Sequence, residues 1–196
     1  SRIPIKHLIT VGVSSLVGLI LIIVNNPYQM TRILSFISPT EDPLGRNYHM
    51  TQSLMAVGSG GFFGLGIGES KLKYFYLPLQ YSDFIYSIVC EEGGFILASI
   101  VIGLYVFLLI KGYDIAKKSR TEYGFFLTMG LTLLIVLQAF MNIGVVIGVF
   151  PVTGIPLTFI SFGGTSLIMS LFFIGIILNI SKSSKKHDFE LKRVNQ

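Results

Sequence analysis

Tryptophan is absent from this 196-residue chain, and cysteine occurs once, at Cys90. One cysteine excludes an internal disulfide framework, and its apolar surroundings make it a small packing residue. The three histidines, His7, His49 and His187, are too scattered for a ligand cluster, so no structural metal site is expected. Charge is the other shortage. Only 13% of residues are charged, where a soluble domain carries about 25%. Without tryptophan, any aromatic belt at a membrane surface must come from the 9 tyrosines and 16 phenylalanines.

Apolar sequence is what the chain has in quantity. It is 52% hydrophobic with a mean hydropathy of +0.71, the composition of a multi-pass membrane protein. Four segments, 8–24, 84–110, 123–150 and 159–180, are long enough for a hydrocarbon core of about 30 Å, which takes roughly 20 apolar residues. Spanning segments that must pair their own backbone groups are helices here, not strands. The expected fold is an all-α polytopic membrane protein with four transmembrane helices. The first apolar run begins within ten residues of Ser1 with no cleavage signal. The chain therefore reads as a C-terminal piece of something longer, within one membrane domain, 1–196.

Lysine and arginine set the orientation. Eleven of the 15 basic residues lie before residue 8, between 111 and 120, or in the 181–196 tail. Four spans put those three segments on one side, so both termini are expected in the cytoplasm, with 25–83 as a large folded external loop. Arg32, Arg46, Lys71 and Lys73 lie in that loop beside Glu41, Asp42, Glu69 and Asp83. The net charge of +5 is thus a topology signal. The basic tail suits anionic lipid, and no nucleic-acid partner is expected.

The 25–83 loop has a proline-marked turn region at Pro39 and Pro43, a short helix expected over 48–57, and a glycine run from Gly58 to Gly68. That run lacks the Gly-Lys-Ser/Thr ending of a phosphate-binding loop and reads as a tightly packed series of turns. The 151–158 segment, with Pro151, Gly154 and Pro156, breaks helix. It is expected as an external or re-entrant loop, since irregular backbone at membrane depth must be buried in protein or line a cavity. Gln138 and Asn142 lie four apart on one face of the third span, where interhelical hydrogen bonding is the expected use.

Three carboxylates mark the second span. Asp83 sits at its lip, and Glu91 and Glu92 lie inside it, where a carboxylate costs about 2.5–3.5 kcal/mol or more to insert. On one regular helix, Ser87 and Cys90 share a face with Asp83, Glu91 is about 80° round and Glu92 is opposite. Both glutamates cannot serve one site, and at least one is expected to brace a neighbouring helix. Asp83, at a water–lipid boundary, suits general-base work on a hydroxyl, with Lys71 and Lys73 in reach of an anionic group.

Several segments resemble one family. They are Phe36–Gly45, Gln52–Gly61, Tyr76-Leu77-Pro78, Ser82-Asp83-Phe84-Ile85, Glu91-Glu92, Asn142–Val145, Pro151–Leu157 and Ser161–Ser166. Together they are similar to the SEDS family of FtsW, RodA and SpoVE, over about 27–180 and in the family's order. The wording around Gly66–Ser70 leans toward FtsW or SpoVE over RodA, with FtsW preferred. Leu79 and Tyr81 replace a common glutamate and histidine, and Cys90 a common glycine.

The resemblance implies the C-terminal half of a roughly ten-span peptidoglycan glycosyltransferase, inactive as this piece alone. It would polymerise lipid II, an undecaprenyl diphosphate-linked disaccharide peptide, at the outer face of the bacterial cytoplasmic membrane. Its implied partners are a class B penicillin-binding protein and other divisome or elongasome membrane proteins. The family's essential aspartate maps to Asp83. Lys73 and Arg32 match frequent family cations, and with Lys71 and Ser87 they make the expected substrate contacts. Glu91, Glu92, Gln138 and Asn142 are structural or polar groups within the membrane. The resemblance fixes no cofactor, and a divalent cation on the diphosphate stays open. The competing readings are a lipid II flippase, motivated by Glu91 and Glu92, and a non-catalytic division scaffold.

Overall fold

The computed structural model describes residues 5–27, 29–30, 32, 36, 48–70 and 83–194. All regular structure among them is helical: α1 Ile5–Asn25, α2 Tyr48–Ser59, α3 Ile85–Lys117, α4 Glu122–Val146 and α5 Gly164–Val194. The chain divides into two compact units, Ser1–Tyr48 and His49–Gln196. In the first, α1 runs through the apolar segment expected as the opening span; helical backbone resumes after Asn26, whose carbonyl accepts from the Gln29 and Met30 amides. In the second, α3, α4 and Gly164–Ser183 of α5 are each long and apolar enough to cross a membrane.

The middle helix of that set is α4. Half of its apolar stretch is buried, against 22% for α3 and 11% for α5, and it packs against both. Its buried residues form a stripe through Thr128, Thr132, Ile135, Val136, Ala139, Asn142, Ile143 and Val146, the three-and-four spacing of one helical face. Small residues let backbones approach where no water drives association. At Gly112 of α3 a Cβ would overlap the Thr132 side chain.

Local signals set the ends of α4. The Thr121 hydroxyl accepts from the Gly124 amide at 3.0 Å as an N-cap. At the other end Gly148 adopts φ 78°, and the Ile147, Gly148 and Val149 amides return to the Ile143, Val145 and Gly144 carbonyls, a glycine C-terminal cap. The cap stops α4 at Val146, four residues short of the expected span end. α5 starts at Gly164, later than the expected 159, because 157–163 is folded as a turn. There Phe159 holds φ 70°, a conformation costly for a bulky side chain. Its backbone does not relax because the Ile160 and Ser161 amides bind the Leu157 carbonyl and the Leu157 amide binds Ser161 Oγ at 2.7 Å.

The second expected span is not one regular helix. Gly94 takes φ 62°, ψ −164° inside α3, a region open to glycine. Around it the ladder is exchanged rather than lost. The Phe95 and Ile96 amides leave their in-helix acceptors for the Gly61 and Phe62 carbonyls, at 2.9 and 3.4 Å. The Glu91 and Glu92 carbonyls accept instead from the Leu65 and Gly66 amides, at 2.9 and 3.1 Å. The glycine run is thereby spliced into the helix, and these four backbone groups regain a partner. Glycine is needed where backbones touch. A Cβ on Gly60 would overlap the Cys90 carbonyl, one on Gly64 the Glu92 carbonyl, and one on Gly94 the Gly64 amide.

The splice makes a direct prediction. Gly64→Ala should destabilise the full-length protein in detergent by about 2–4 kcal/mol, combining the φ 79° strain with the overlap. Gly58→Ala, in open space on α2, should change stability by no more than about 1 kcal/mol. Thermal unfolding of the two variants side by side checks the contrast.

Candidate functional site

Asp83 stands immediately before α3. Phe84, the N-cap, is non-helical at φ −110°, ψ 17° and offers no side-chain cap. The Ser87 amide and hydroxyl both bind the Phe84 carbonyl, at 3.0 and 2.7 Å. Ser87 is fully buried, and its hydroxyl is used by the turn that carries Asp83. Phe84 is buried too, and its ring stacks on His49 of α2 with centroids 6.4 Å apart. α2 is itself tied to the end of α4 by a 3.0 Å bond from the Ser53 hydroxyl to the Val146 carbonyl, one of the carbonyls a helix end leaves open.

The 151–158 segment forms the facing wall. Its carbonyls have no ladder, and side chains from two helices take them up. Asn142 Nδ2 donates to Ile155 at 2.7 Å, Gln138 Nε2 to Pro156 at 3.3 Å, and the Tyr105 hydroxyl to Thr158. The second hydrogen of Asn142 Nδ2 goes to the Asp83 carbonyl, also at 2.7 Å. Gly154, at φ 73°, lies beneath the carboxylate, and a Cβ there would come 3.6 Å from Asp83 Oδ2. Asp83 is therefore a half-buried carboxylate between the start of α3 and a glycine-floored loop. The interhelical bonding expected of Gln138 and Asn142 is replaced by bonding to irregular backbone. Their four-residue spacing matches two carbonyls of one loop, a match that sequence spacing could not disclose.

The two glutamates have separate surroundings. Glu91 is buried, and the Ser70 hydroxyl donates to its Oε2 at 2.5 Å. Glu92 is half-buried beside the glycine splice. Ser70 closes the glycine run and directly precedes Lys71, so Glu91 anchors the start of the segment bearing the two loop lysines. Lys71 and Lys73 themselves lie outside the described residues. Arg32 belongs to the first compact unit, in helical backbone and half-buried. The structure thus brings Asp83, Ser87 and Asn142 together. Among the described residues, no three His, Cys, Asp or Glu side chains converge as metal ligands would.

An open groove of about 750 Å³ lies elsewhere, between Ser119–Leu127 at the start of α4 and Phe172–Ser183 of α5. Its lining includes Arg120 but no carboxylate. The candidate site is the one around Asp83, Gly154 and the carbonyl clamp.

Residues 1–186 match the model of a family described as cell cycle proteins, that of FtsW, RodA and SpoVE. Stage V sporulation protein E of Bacillus subtilis is 44% identical over 181 residues, 92% of this chain and 50% of that protein. A probable peptidoglycan glycosyltransferase FtsW of Trichlorobacter lovleyi is 41% identical over 174 residues, 89% of this chain and 46% of that protein. The chain spans about half the length of the curated relatives it matches. Among solved structures it is similar to a chain of a peptidoglycan synthase complex, studied for its coordination of polymerization and crosslinking. There the TM-score is 0.71 at 29% identity, covering 91% of this chain and 49% of that one.

Tyr105 offers a test of the clamped loop. Tyr105→Phe leaves the Thr158 carbonyl buried without its donor and should cost about 1–3 kcal/mol. Chemical unfolding of the full-length variant reads that loss.

Proposed function

Since the chain belongs to the SEDS family of cell cycle proteins that includes FtsW, RodA and SpoVE, we propose that it is the C-terminal half of a peptidoglycan glycosyltransferase. On this reading the whole enzyme polymerises lipid II at the outer face of the bacterial cytoplasmic membrane. The chain is multi-pass, with α1 as a fourth crossing, both termini cytoplasmic and 25–83 an external folded segment. It works with a class B penicillin-binding protein, in keeping with its likeness to a chain of a peptidoglycan synthase complex, and with other division or elongation membrane proteins.

One observation carries the reading. Asp83 is a half-buried carboxylate at the mouth of an apolar helix, with its backbone pinned and a glycine floor leaving space against Oδ2. Such a group can act as a general base. Asp83 takes the proton from the 4-hydroxyl of the acceptor sugar. The hydroxyl oxygen forms a bond to the anomeric carbon of the donor, and the bond from that carbon to the lipid diphosphate breaks. The diphosphate departs with the electron pair. Its negative charge calls for cations, and Lys73, Lys71 and Arg32 are the residues proposed for it. The Ser70–Glu91 bond supports this by anchoring the chain just before Lys71. Ser87, used on the Phe84 carbonyl, acts on the turn rather than on substrate.

The same bond weighs against a flippase driven by Glu91. A proton relay needs a carboxylate free to exchange its partner, whereas Glu91 accepts from a buried serine that holds a loop in place.

Asp83→Ala in the full-length protein with its partner should lower glycan-chain synthesis from lipid II by at least about 100-fold, measured by gel separation of labelled chains. Near-normal synthesis removes Asp83 as the base. Translocation of lipid II in vesicles that needs Glu91 or Glu92 but not Asp83 replaces the polymerase with a transporter.

A further inference from the structure

The carbonyl of Asp83 is outside the helical ladder. The amide that would take it one turn on, that of Ser87, is directed to Phe84 instead. Phe84 is non-helical and uncapped, so the start of α3 does not by itself hold the aspartate in place. Asn142, about one turn before the end of α4's buried stripe at Val146, supplies the missing restraint. It is 1% exposed. Its Nδ2 donates one hydrogen to the Asp83 carbonyl and the other to the Ile155 carbonyl, both at 2.7 Å. Two carbonyl partners fix which end of the carboxamide is nitrogen. One atom therefore sets the spacing between the residue carrying the carboxylate and the loop whose Gly154 floors it.

The other end of the carboxamide is informative. Asn142 Oδ1 is buried without a hydrogen-bond partner, a state that costs stability and calls for a reason. An apolar side chain of the same shape would avoid that cost, but it would leave the Asp83 and Ile155 carbonyls unpaired and unlinked.

We propose that Asn142 is the positioning residue for the proposed base, holding Asp83 in register with the 151–158 loop so that its carboxylate meets the acceptor hydroxyl. The inference rests on the reading of Asp83 as base. Asn142 touches backbone and acts through Asp83, so it governs the chemical step rather than the binding of the lipid. Displacement of a reacting group by about 1 Å costs about 100-fold in rate.

The test uses the full-length protein with its transpeptidase partner, assayed over a range of lipid II concentrations. Asn142→Leu keeps the shape and removes both donors. It should lower kcat about 100-fold with KM within about threefold. Asn142→Gln, which restores the carboxamide donor on a longer stem, should recover at least about tenfold of that loss. Gln138→Leu loosens the same loop at Pro156 without touching Asp83, and should lower kcat less than about fivefold. A kcat for Asn142→Leu within about threefold of the parent overturns the proposal, as does a loss confined to KM, or an equal loss in Gln138→Leu. If Asn142→Leu fails to accumulate, Asn142→Ala, which likewise removes both donors, decides in the same way. An inactive Asp83→Ala beside a fully active Asn142→Leu sinks this inference alone. An active Asp83→Ala sinks the base reading and this inference with it.

Discussion

Backbone that leaves the helix inside an apolar layer must find a partner for each amide and carbonyl, because neither lipid nor hydrocarbon side chains can supply one. Two answers to that demand organise this chain. At Gly94 the answer is backbone to backbone: the glycine run trades hydrogen bonds with α3, so the Phe95 and Ile96 amides keep acceptors across the break. At 151–158 the answer is side chain to backbone: Asn142, Gln138 and Tyr105 take the Ile155, Pro156 and Thr158 carbonyls. Both devices draw the irregular segments onto α3 and α4.

The candidate site is a by-product of the second device. Asp83 sits where α3 has not yet begun, so its carbonyl is free for a side chain from α4 to take. The loop wall, the residue proposed as base and the buried stripe of α4 are then joined through one carboxamide. The first device serves the same end more remotely. Its glycines bring the loop against Glu91, which holds Ser70 beside the lysine-bearing segment. Phe159 shows that the arrangement is held firmly enough to keep a bulky residue at φ 70°.

Much of this was legible in the chain. Apolar length gave away α3, α4 and α5, and the spacing of Gln138 and Asn142 marked one face of α4. Tyr48 to Val57 read as a short helix, and the helix found is Tyr48–Ser59. Asp83 stood out because a carboxylate at the lip of an apolar run is costly without a use. The break at Gly94 was not legible. Gly93-Gly94 in an apolar run is compatible with a straight helix until another backbone arrives to replace the lost bonds. The true ends of α4 and α5 were hidden for a related reason: Gly148 and the 157–163 turn are set by hydrogen bonds that hydropathy does not register.

Composition and order along the chain were enough for the membrane class, for three helices long and apolar enough to cross, and for the carboxylate worth testing, since these follow from transfer energies that each residue carries wherever it folds. Which carbonyl Asn142 reaches, which serine meets Glu91, and that a glycine lies under Asp83 were settled in folding. Those pairings join residues 13 to 59 positions apart for the Asn142 bonds and 21 apart for Ser70 and Glu91. A hydrogen bond has a range of about 3 Å, and only the packed helices bring such distant groups within it.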